Sequence, residues 1–487
     1  MSSVYAFGAF ELDPDARRLT HAGTPVTIAD RHLGVLIHLV AHAGSVLSKD
    51  ALVEAGWRDV AVTDNSLEQA VSALRRVIGN APDGRPSIQT VPRQGYRFTA
   101  PVTRTTSRAS DVTLDELLAP HRAWVEGRAA LETLERDGIN RARAAFDEVL
   151  RSVPEQPAAH IGLANACALQ FEMTRTDAAP DTAALQTAVS HAREACRLDP
   201  ASGEAWATLG FVLERTGQRL DAAAAARRAI SLEPDNWRHH LRLSYGSWGE
   251  ERLRAAHRTL TLVPGLPLAH WLAATVHVAR QALDDAEREL QAGIDFQRIQ
   301  RGAHDAPSRF SAVGLHWLDG LIALARGDDD GALAAFEREL ATEAAGHLYA
   351  RECAANTWYA IGVLRQRQTR LADARAAFAE ALQRVARHPM ALVAGAAFDS
   401  SAGHTSAPAP RPPAAAGGSI EATFAAAAAL AMTGALEDAS RLVDAALAAA
   451  PHGTSVGWTL PIEPLLDVRA NPSVWAPALA RLRTRAA

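Results

Sequence analysis

Residues 64–98 set an amphipathic helix beside a short arginine-rich hairpin, and this pairing constrains the amino-terminal fold more than any other feature. Leu67, Ala70, Val71, Leu74, Val77 and Ile78 recur at helical spacing and define an apolar stripe over 64–78. Gln69, Ser72, Ala73 and Arg76 follow each other at i, i+3, i+4 and i+7, so they project together from the opposite side. Asn65 followed three residues later by Glu68 reads as an N-cap with an acidic third position. Past a turn at 80–85, Ile88-Gln89-Thr90-Val91 and Tyr96-Arg97-Phe98 alternate as strands around Pro92-Arg93-Gln94-Gly95. A helix whose polar stripe holds Gln, Arg and small residues fits a major groove. Arg93 and Arg97 on the hairpin suit phosphates or a minor groove. The same pattern also describes an ordinary surface helix with a solvated hairpin.

The preceding residues sharpen the choice. Tyr5, Phe7, Phe10 and Leu12 alternate, and Arg18-Leu19-Thr20 and Val26-Thr27-Ile28 follow across turns at Pro14-Asp15 and Ala22-Gly23, which predicts a small antiparallel sheet. Leu33, Leu36, Ile37 and Val40 predict a first helix, and Ser48 caps a second whose apolar face is Leu52, Val53 and Trp57. These pieces occur in one order: Ser48-Lys49-Asp50-Ala51-Leu52 with Trp57, then Ser66-Leu67 through Leu74-Arg75-Arg76, then Ile88-Gln89-Thr90-Val91 and Gly95-Tyr96-Arg97-Phe98. In that order they resemble the OmpR/PhoB-type winged-helix DNA-binding domain, over roughly residues 4–102. The resemblance implies that 64–78 is the recognition helix and that Gln69, Ser72, Ala73 and Arg76 face bases. It further implies that Asn65, Ser66, Arg75, Tyr96 and Arg97 touch the DNA backbone, with Arg93 on the wing near the minor groove. Ala73 stands where many relatives carry a longer polar residue, which leaves it a thymine-methyl contact. Two alternatives stay open: Arg97 as a brace of the sheet, and Arg75 paired with Glu68 or another acid.

Charge limits the nonspecific part of such binding. Residues 1–100 hold ten Arg or Lys and ten Asp or Glu, yet residues 69–100 hold five arginines against the single acid Asp83. The positive potential is local to the proposed DNA face, which implies a modest salt dependence. No room precedes Tyr5 for a phospho-acceptor receiver domain, so the aspartyl-phosphate switch usual in this phosphorelay-related family is expected to be absent. Residues 101–114 are rich in Thr, Ser and Arg and read as a flexible linker. The longest apolar run, at 424–432, falls well short of the roughly 18 residues that span a bilayer. With no basic, apolar leader at its start, the chain is expected to be cytoplasmic, with no membrane partner. Cys167, Cys196 and Cys353 are isolated within helical patterns and read as buried small side chains.

From residue 115 onward the pattern is helical, and a set of offsets returns. Trp206, Leu209, Gly210 and Leu213, then Ala222, Ala226, Ala229 and Pro234, alternate small and large residues as tetratricopeptide repeats do. Similar offsets recur in Trp358, Ile361, Gly362, Ala374, Phe378 and Ala381, in Gly320, Ala332 and Phe336, and in Ala427, Ala439, Val443, Ala446 and Pro451. An imperfect first copy runs through Ala130, Ala142, Phe146, Val149 and Pro154. Small residues let paired helices approach and large ones fill the gap to the next pair, so the resemblance implies seven or eight pairs stacked in a superhelix. The expected class is mainly α: an α+β winged helix, then an all-α tetratricopeptide-like superhelix. The expected domains are 1–102 (winged helix), 103–118 (linker), 119–300 and 307–398 (two sub-arrays), 400–419 (a Pro/Ala-rich disordered linker) and 420–487 (last repeat and cap). A loop at 174–180 lengthens one unit, and 297–307 is expected to be a polar break.

Trp237, Trp248, Trp271 and Trp317 read first as packing residues and secondly as groove lining. His239, His240 and His257, and the pair His38 and His42, lack an acid at zinc-enzyme spacing, so no metal and no cofactor is expected. Asp328-Asp329-Asp330 reads as a solvated loop. The chain shows no phosphate-cradling glycine loop, nucleophile elbow or carboxylate pair, which argues against an enzyme. The expected function is a bacterial one-component transcriptional regulator. Its partners are double-stranded promoter DNA with direct repeats, a homodimer partner on that DNA, RNA polymerase, and a partner protein or small effector in the repeat groove. The alternative is a protein-interaction scaffold whose winged helix is not a sequence-specific DNA binder.

Overall fold

The computed structural model describes residues 3–57, 64–81, 84–106, 114–303, 312–401 and 420–487. The chain opens with β1 (Ser3–Phe7) and β2 (Phe10–Asp13), followed by β3 (Arg18–His21) and β4 (Thr24–Pro25). The run from Tyr5 to Leu12 is therefore a hairpin rather than one strand, turned at Gly8 with φ +59°. Strand pairing ends at Pro25, so the expected strand at Val26-Thr27-Ile28 moves two residues upstream. Next come α1 (Asp30–Ala41), β5 (Val46–Leu47), α2 (Lys49–Trp57) and α3 (Asp64–Ile78). Ser48 Oγ accepts from Ala51 N at 3.2 Å, which caps α2 as expected. The wing is β6 (Ile88–Val91) and β7 (Gly95–Phe98), and it lies in a sheet of order β5-β7-β6.

A last strand, β8 (Thr103–Thr106), completes the other sheet in the order β4-β3-β2-β1-β8. Residues 103–106 were expected to be linker. They extend instead because β1 offers them an unpaired edge, with Ser3 opposite Thr106 and Ala6 opposite Thr103. Leu12, Leu36, Leu39, Leu52, Leu67, Leu74 and Phe98 fill one core between the sheets and the three helices.

From Leu114 the described chain is almost entirely helical. It runs through α4 (Leu114–Glu132), α5 (Arg136–Ser152), α6 (Pro157–Thr174) and α7 (Thr182–Leu198), then α8 (Gly203–Arg215), α9 (Arg219–Leu232), α10 (Trp237–Gly246) and α11 (Gly249–Leu262). α12 (Pro267–Ala279) and α13 (Leu283–Ala303) precede α14 (Leu315–Arg326) and α15 (Asp329–Leu340). The rest is α16 (Ala350–Arg367), α17 (Leu371–Arg384), α18 (Pro389–Ser401), α19 (Ile420–Met432), α20 (Leu436–Ala449) and α21 (Pro472–Ala486). No helix among the described residues is long and apolar enough to cross a membrane. The expected break at 297–307 is helical as far as Ala303, because Gln297 is buried and its amide donates to Ala312 O at 2.9 Å. The Pro/Ala-rich segment 400–419 lies outside the described residues beyond Ser401. The aspartate run is not a loop: Asp328 Oδ1 accepts from Gly331 N at 3.0 Å and caps α15, and Asp329 and Asp330 fill its first turn.

The chain divides into two compact units, Met1–Arg128 with Ala142–Asn165 and Thr187–His239, and Ala129–Arg141 with Ala166–Gln186 and His240–Ala487. Inside each, a phenylalanine ring faces a glycine on a neighbouring helix: Phe146 faces Gly127 and Gly162, Phe336 faces Gly320, and Phe378 faces Gly362. A Cβ at Gly320 or Gly362 would come within 2.5 Å of the ring, so only glycine admits it. This is the small-and-large alternation of tetratricopeptide-like repeats in atomic terms. A second device repeats. A buried glutamate on the later helix of a pair accepts from the amide start of the earlier one, Glu233 from Gly203 N (3.2 Å) and Glu339 from Gly314 N (2.7 Å). In the second unit the tail buries Trp475 on α21 and packs on α11 and α12 as well as α20, so it covers more than the last repeat.

Candidate functional site

α3 owes its placement to Leu67, Ala70, Val71, Leu74 and Ile78, all buried in the winged-helix core. Val77, expected among them, is 37% exposed because it sits on the edge of the stripe. On the far side Gln69, Ser72 and Arg76 are exposed and Ala73 is half-buried, so the expected base-facing set shares one open face. α3 starts at Asp64, which puts Asn65 inside the first turn rather than at the cap; the Asn65 side chain lies outside the described residues. Ser66 is buried with its Oγ unpartnered.

Arg75 has a structural task. Its Nε donates to Ile88 O at 3.0 Å and its Nη2 to Thr90 Oγ1 at 2.8 Å, so the guanidinium fastens α3 to β6. The acid expected as its rival partner, Glu68, pairs with Lys49 at 3.2 Å. Arg93 stands exposed at the wing tip with φ +64°, between exposed Pro92 and Gln94. Tyr96 is buried and paired with Leu47 across the sheet, and Arg97 is half-buried with its Nε enclosed and unpartnered. The wing turn depends on Gly95, where φ is +133° and a Cβ would lie 1.9 Å from Leu47 O.

Within the first unit the winged helix also touches the array. Arg31 on α1 lies 3.5 Å from Glu233, whose carboxylate is shared with His239 (3.0 Å) and Asn236 (2.9 Å). Although burial opposes it, hydrogen bonding and charge from His239 and the charge of Arg31 hold Glu233 down to about 2.

The second unit contains a cavity of about 710 Å³ whose lining includes Trp271, Trp317, Trp458, Tyr359 and Glu463. The Trp458 ring meets Trp271 and Trp317 edge-on at 5.9 and 6.3 Å, and the buried Trp271 Nε1 has no hydrogen-bond partner among the described residues. Trp271 and Trp317 thus line a cavity, whereas Trp237 and Trp248 are buried packing residues. Tyr359 donates to Glu463 Oε1 at 2.5 Å, and burial pushes the Glu463 carboxyl up to about 7. Because that value is raised in the fold, its stabilising contribution is complete below about 4.5 and is lost as pH rises through 7. Glu463→Gln should therefore unfold with less pH dependence than the parent, the difference growing to roughly 3 kcal/mol between pH 5 and pH 8. Urea midpoints of the two proteins at both pH values measure it, and parallel curves refute it.

Residues 23–98 match the family model described as the C-terminal domain of transcriptional regulatory proteins. The transcriptional activator CadC of Escherichia coli (strain K12) is 31% identical over 100 residues, 20% of this chain and 20% of the relative. The transcriptional regulator HilA of Salmonella typhimurium is 35% identical over 98 residues, 20% of this chain and 17% of the relative. This chain thus spans a fifth or less of the length of these curated relatives. Among solved structures, the DNA-binding domain of E. coli CadC is 29% identical, covers 21% of this chain and 96% of its own, and gives a TM-score of 0.19. The amino-terminal domain is an OmpR/PhoB-type winged helix of the kind found in these DNA-binding transcriptional regulators, and the described chain beyond it is helical.

Proposed function

We propose that this protein is a transcriptional regulator, not an enzyme, that reads promoter DNA through α3 and its wing while the helical array binds an effector and governs that reading. The observation that carries this is the open row of Gln69, Ser72 and Arg76 beside the exposed Arg93 tip, within a domain of that family. Gln69, Ser72, Ala73 and Arg76 face base edges in the major groove, and Arg93 follows the minor groove. Asn65 and Arg97 approach phosphates, and Arg75 sets the angle between helix and wing. Ser66 and Tyr96 are buried and serve packing. Two copies occupy direct repeats in the cytoplasm, next to RNA polymerase.

The array's part rests on the cavity in the second unit, whose volume falls in the range of small-molecule sites and whose buried Trp271 N–H has no acceptor among the described residues. The Arg31–Glu233 contact supports a link between array and winged helix.

Selection of bound fragments from genomic DNA with the full chain supplies the operator. On that site Arg76→Ala should lower affinity by about 1–3 kcal/mol, roughly 5- to 150-fold, through loss of a bidentate base contact. Equal gel-shift affinities remove Arg76 from base reading. A full chain that enriches no fragment turns the reading to the scaffold alternative.

A further inference from the structure

In the second unit, α11, α12 and α13 bring four side chains to one place. Glu289 on α13 lies between two imidazoles: its Oε1 is 3.1 Å from His257 Nε2 on α11, and its Oε2 is 2.6 Å from His270 Nδ1 on α12. His277, two turns along α12, completes the group, and one donor atom each from His257, His277 and Glu289 lie within 4.8 Å of one another. We propose that His257, His277 and Glu289 bind a divalent transition-metal ion of the zinc type, with His270 holding the carboxylate in place.

The donor set selects the metal. Two imidazoles and one carboxylate suit Zn²⁺ and its first-row neighbours, whereas Mg²⁺ and Ca²⁺ prefer oxygen cages. Tetrahedral zinc with bonds of about 2.0–2.1 Å places its ligand atoms roughly 3.3 Å apart. The His257–Glu289 separation of 3.1 Å is close to that value, and the His277 donor atom lies within 4.8 Å of both. The His257 side chain is 49% exposed, which gives the ion a path in and leaves the imidazole free to turn. On binding, the proton on His257 Nε2 moves to Nδ1 or to solvent, and the nitrogen lone pair goes to the metal. A fourth position stays open to water.

The surroundings fit a cation. Asp285 adds negative charge near His277. The neighbouring cation Arg280 is occupied, donating to Glu250 at 3.0 Å and to Ala486 O at 2.8 Å. His270 supplies the outer hydrogen bond that fixes the orientation of a ligating group. A bound ion joins three successive helices, so it also raises the unfolding temperature.

The test uses the full chain, stripped with a chelator and titrated with zinc chloride by calorimetry, and with cobalt(II) for the visible absorption of a tetrahedral site. One saturable equivalent is expected, with a higher unfolding temperature. His257→Ala, His277→Ala and Glu289→Gln should each abolish that equivalent, and His270→Gln should weaken it about 10- to 100-fold. The half-exposed His257 makes its alanine variant the one sure to fold. Absence of a saturable equivalent, or a titration of His257→Ala indistinguishable from the parent's, overturns the proposal. The second result would assign the ion to others of the chain's 18 histidines.

Discussion

Gly95→Ala should abolish duplex binding while leaving the helical repeats folded. At this position the backbone takes φ +133°, which favours glycine, and an added methyl would overlap Leu47 O at 1.9 Å. Neither partner can swing aside, since both are backbone held in the sheet: Leu47 pairs with Tyr96 between β5 and β7, and Gly95 pairs with Val91 between β6 and β7. Residues forced into sparsely populated backbone conformations cost of order 1–3 kcal/mol. Parting two ladder hydrogen bonds adds about 1 kcal/mol each, for a total of roughly 3 kcal/mol or more. Domains of this size have about 5–15 kcal/mol in all. The wing would leave its register, and Arg93 would no longer sit beside α3. Hydrogen exchange should show lost protection over β5–β7, and gel shifts should show lost affinity. Parent-like binding by Gly95→Ala would contradict the placement of the wing.

Phe378→Ala should cost about 3–5 kcal/mol, the range for emptying a buried phenylalanine site. The ring is 2% exposed and lies on Gly362, which has no side chain to relax into the void. The contact is reciprocal, and a partial rescue follows. Gly362→Ala alone brings a Cβ to 2.4 Å of the ring and is destabilising, whereas the same change in the Phe378→Ala background fills part of the hole. Urea unfolding of the four proteins gives the coupling. Additive losses would show that ring and glycine do not act as one lock.

The same comparison shows where sequence reading succeeds. The bounds of α3 and of the two wing strands are written in local periodicity, since each carries its own apolar stripe into a single core. The open face of Gln69, Ser72 and Arg76 follows from the same geometry. Arg75 was less legible, because its partners Ile88 O and Thr90 are set by how the helix meets the wing, not by spacing along the helix. The buried caps Glu233 and Glu339 read as ordinary surface acids until their helices pair. The grouping of His257, His277 and Glu289 shares no motif spacing. It exists only because three helices stack, and a search for acids close in sequence passed over it. β8 was hidden by its Thr- and Arg-rich composition, which resembles a linker until β1 provides a mate.

That last strand bears on how the DNA-binding portion is excised for study. A fragment stopped at Val102 would strip β1 of its outer neighbour and bare a row of amides and carbonyls that invites strand addition from another molecule. Self-association of so short a piece would report the severed margin, not cooperative assembly on an operator. Carrying the cut beyond Thr106 keeps the two apart.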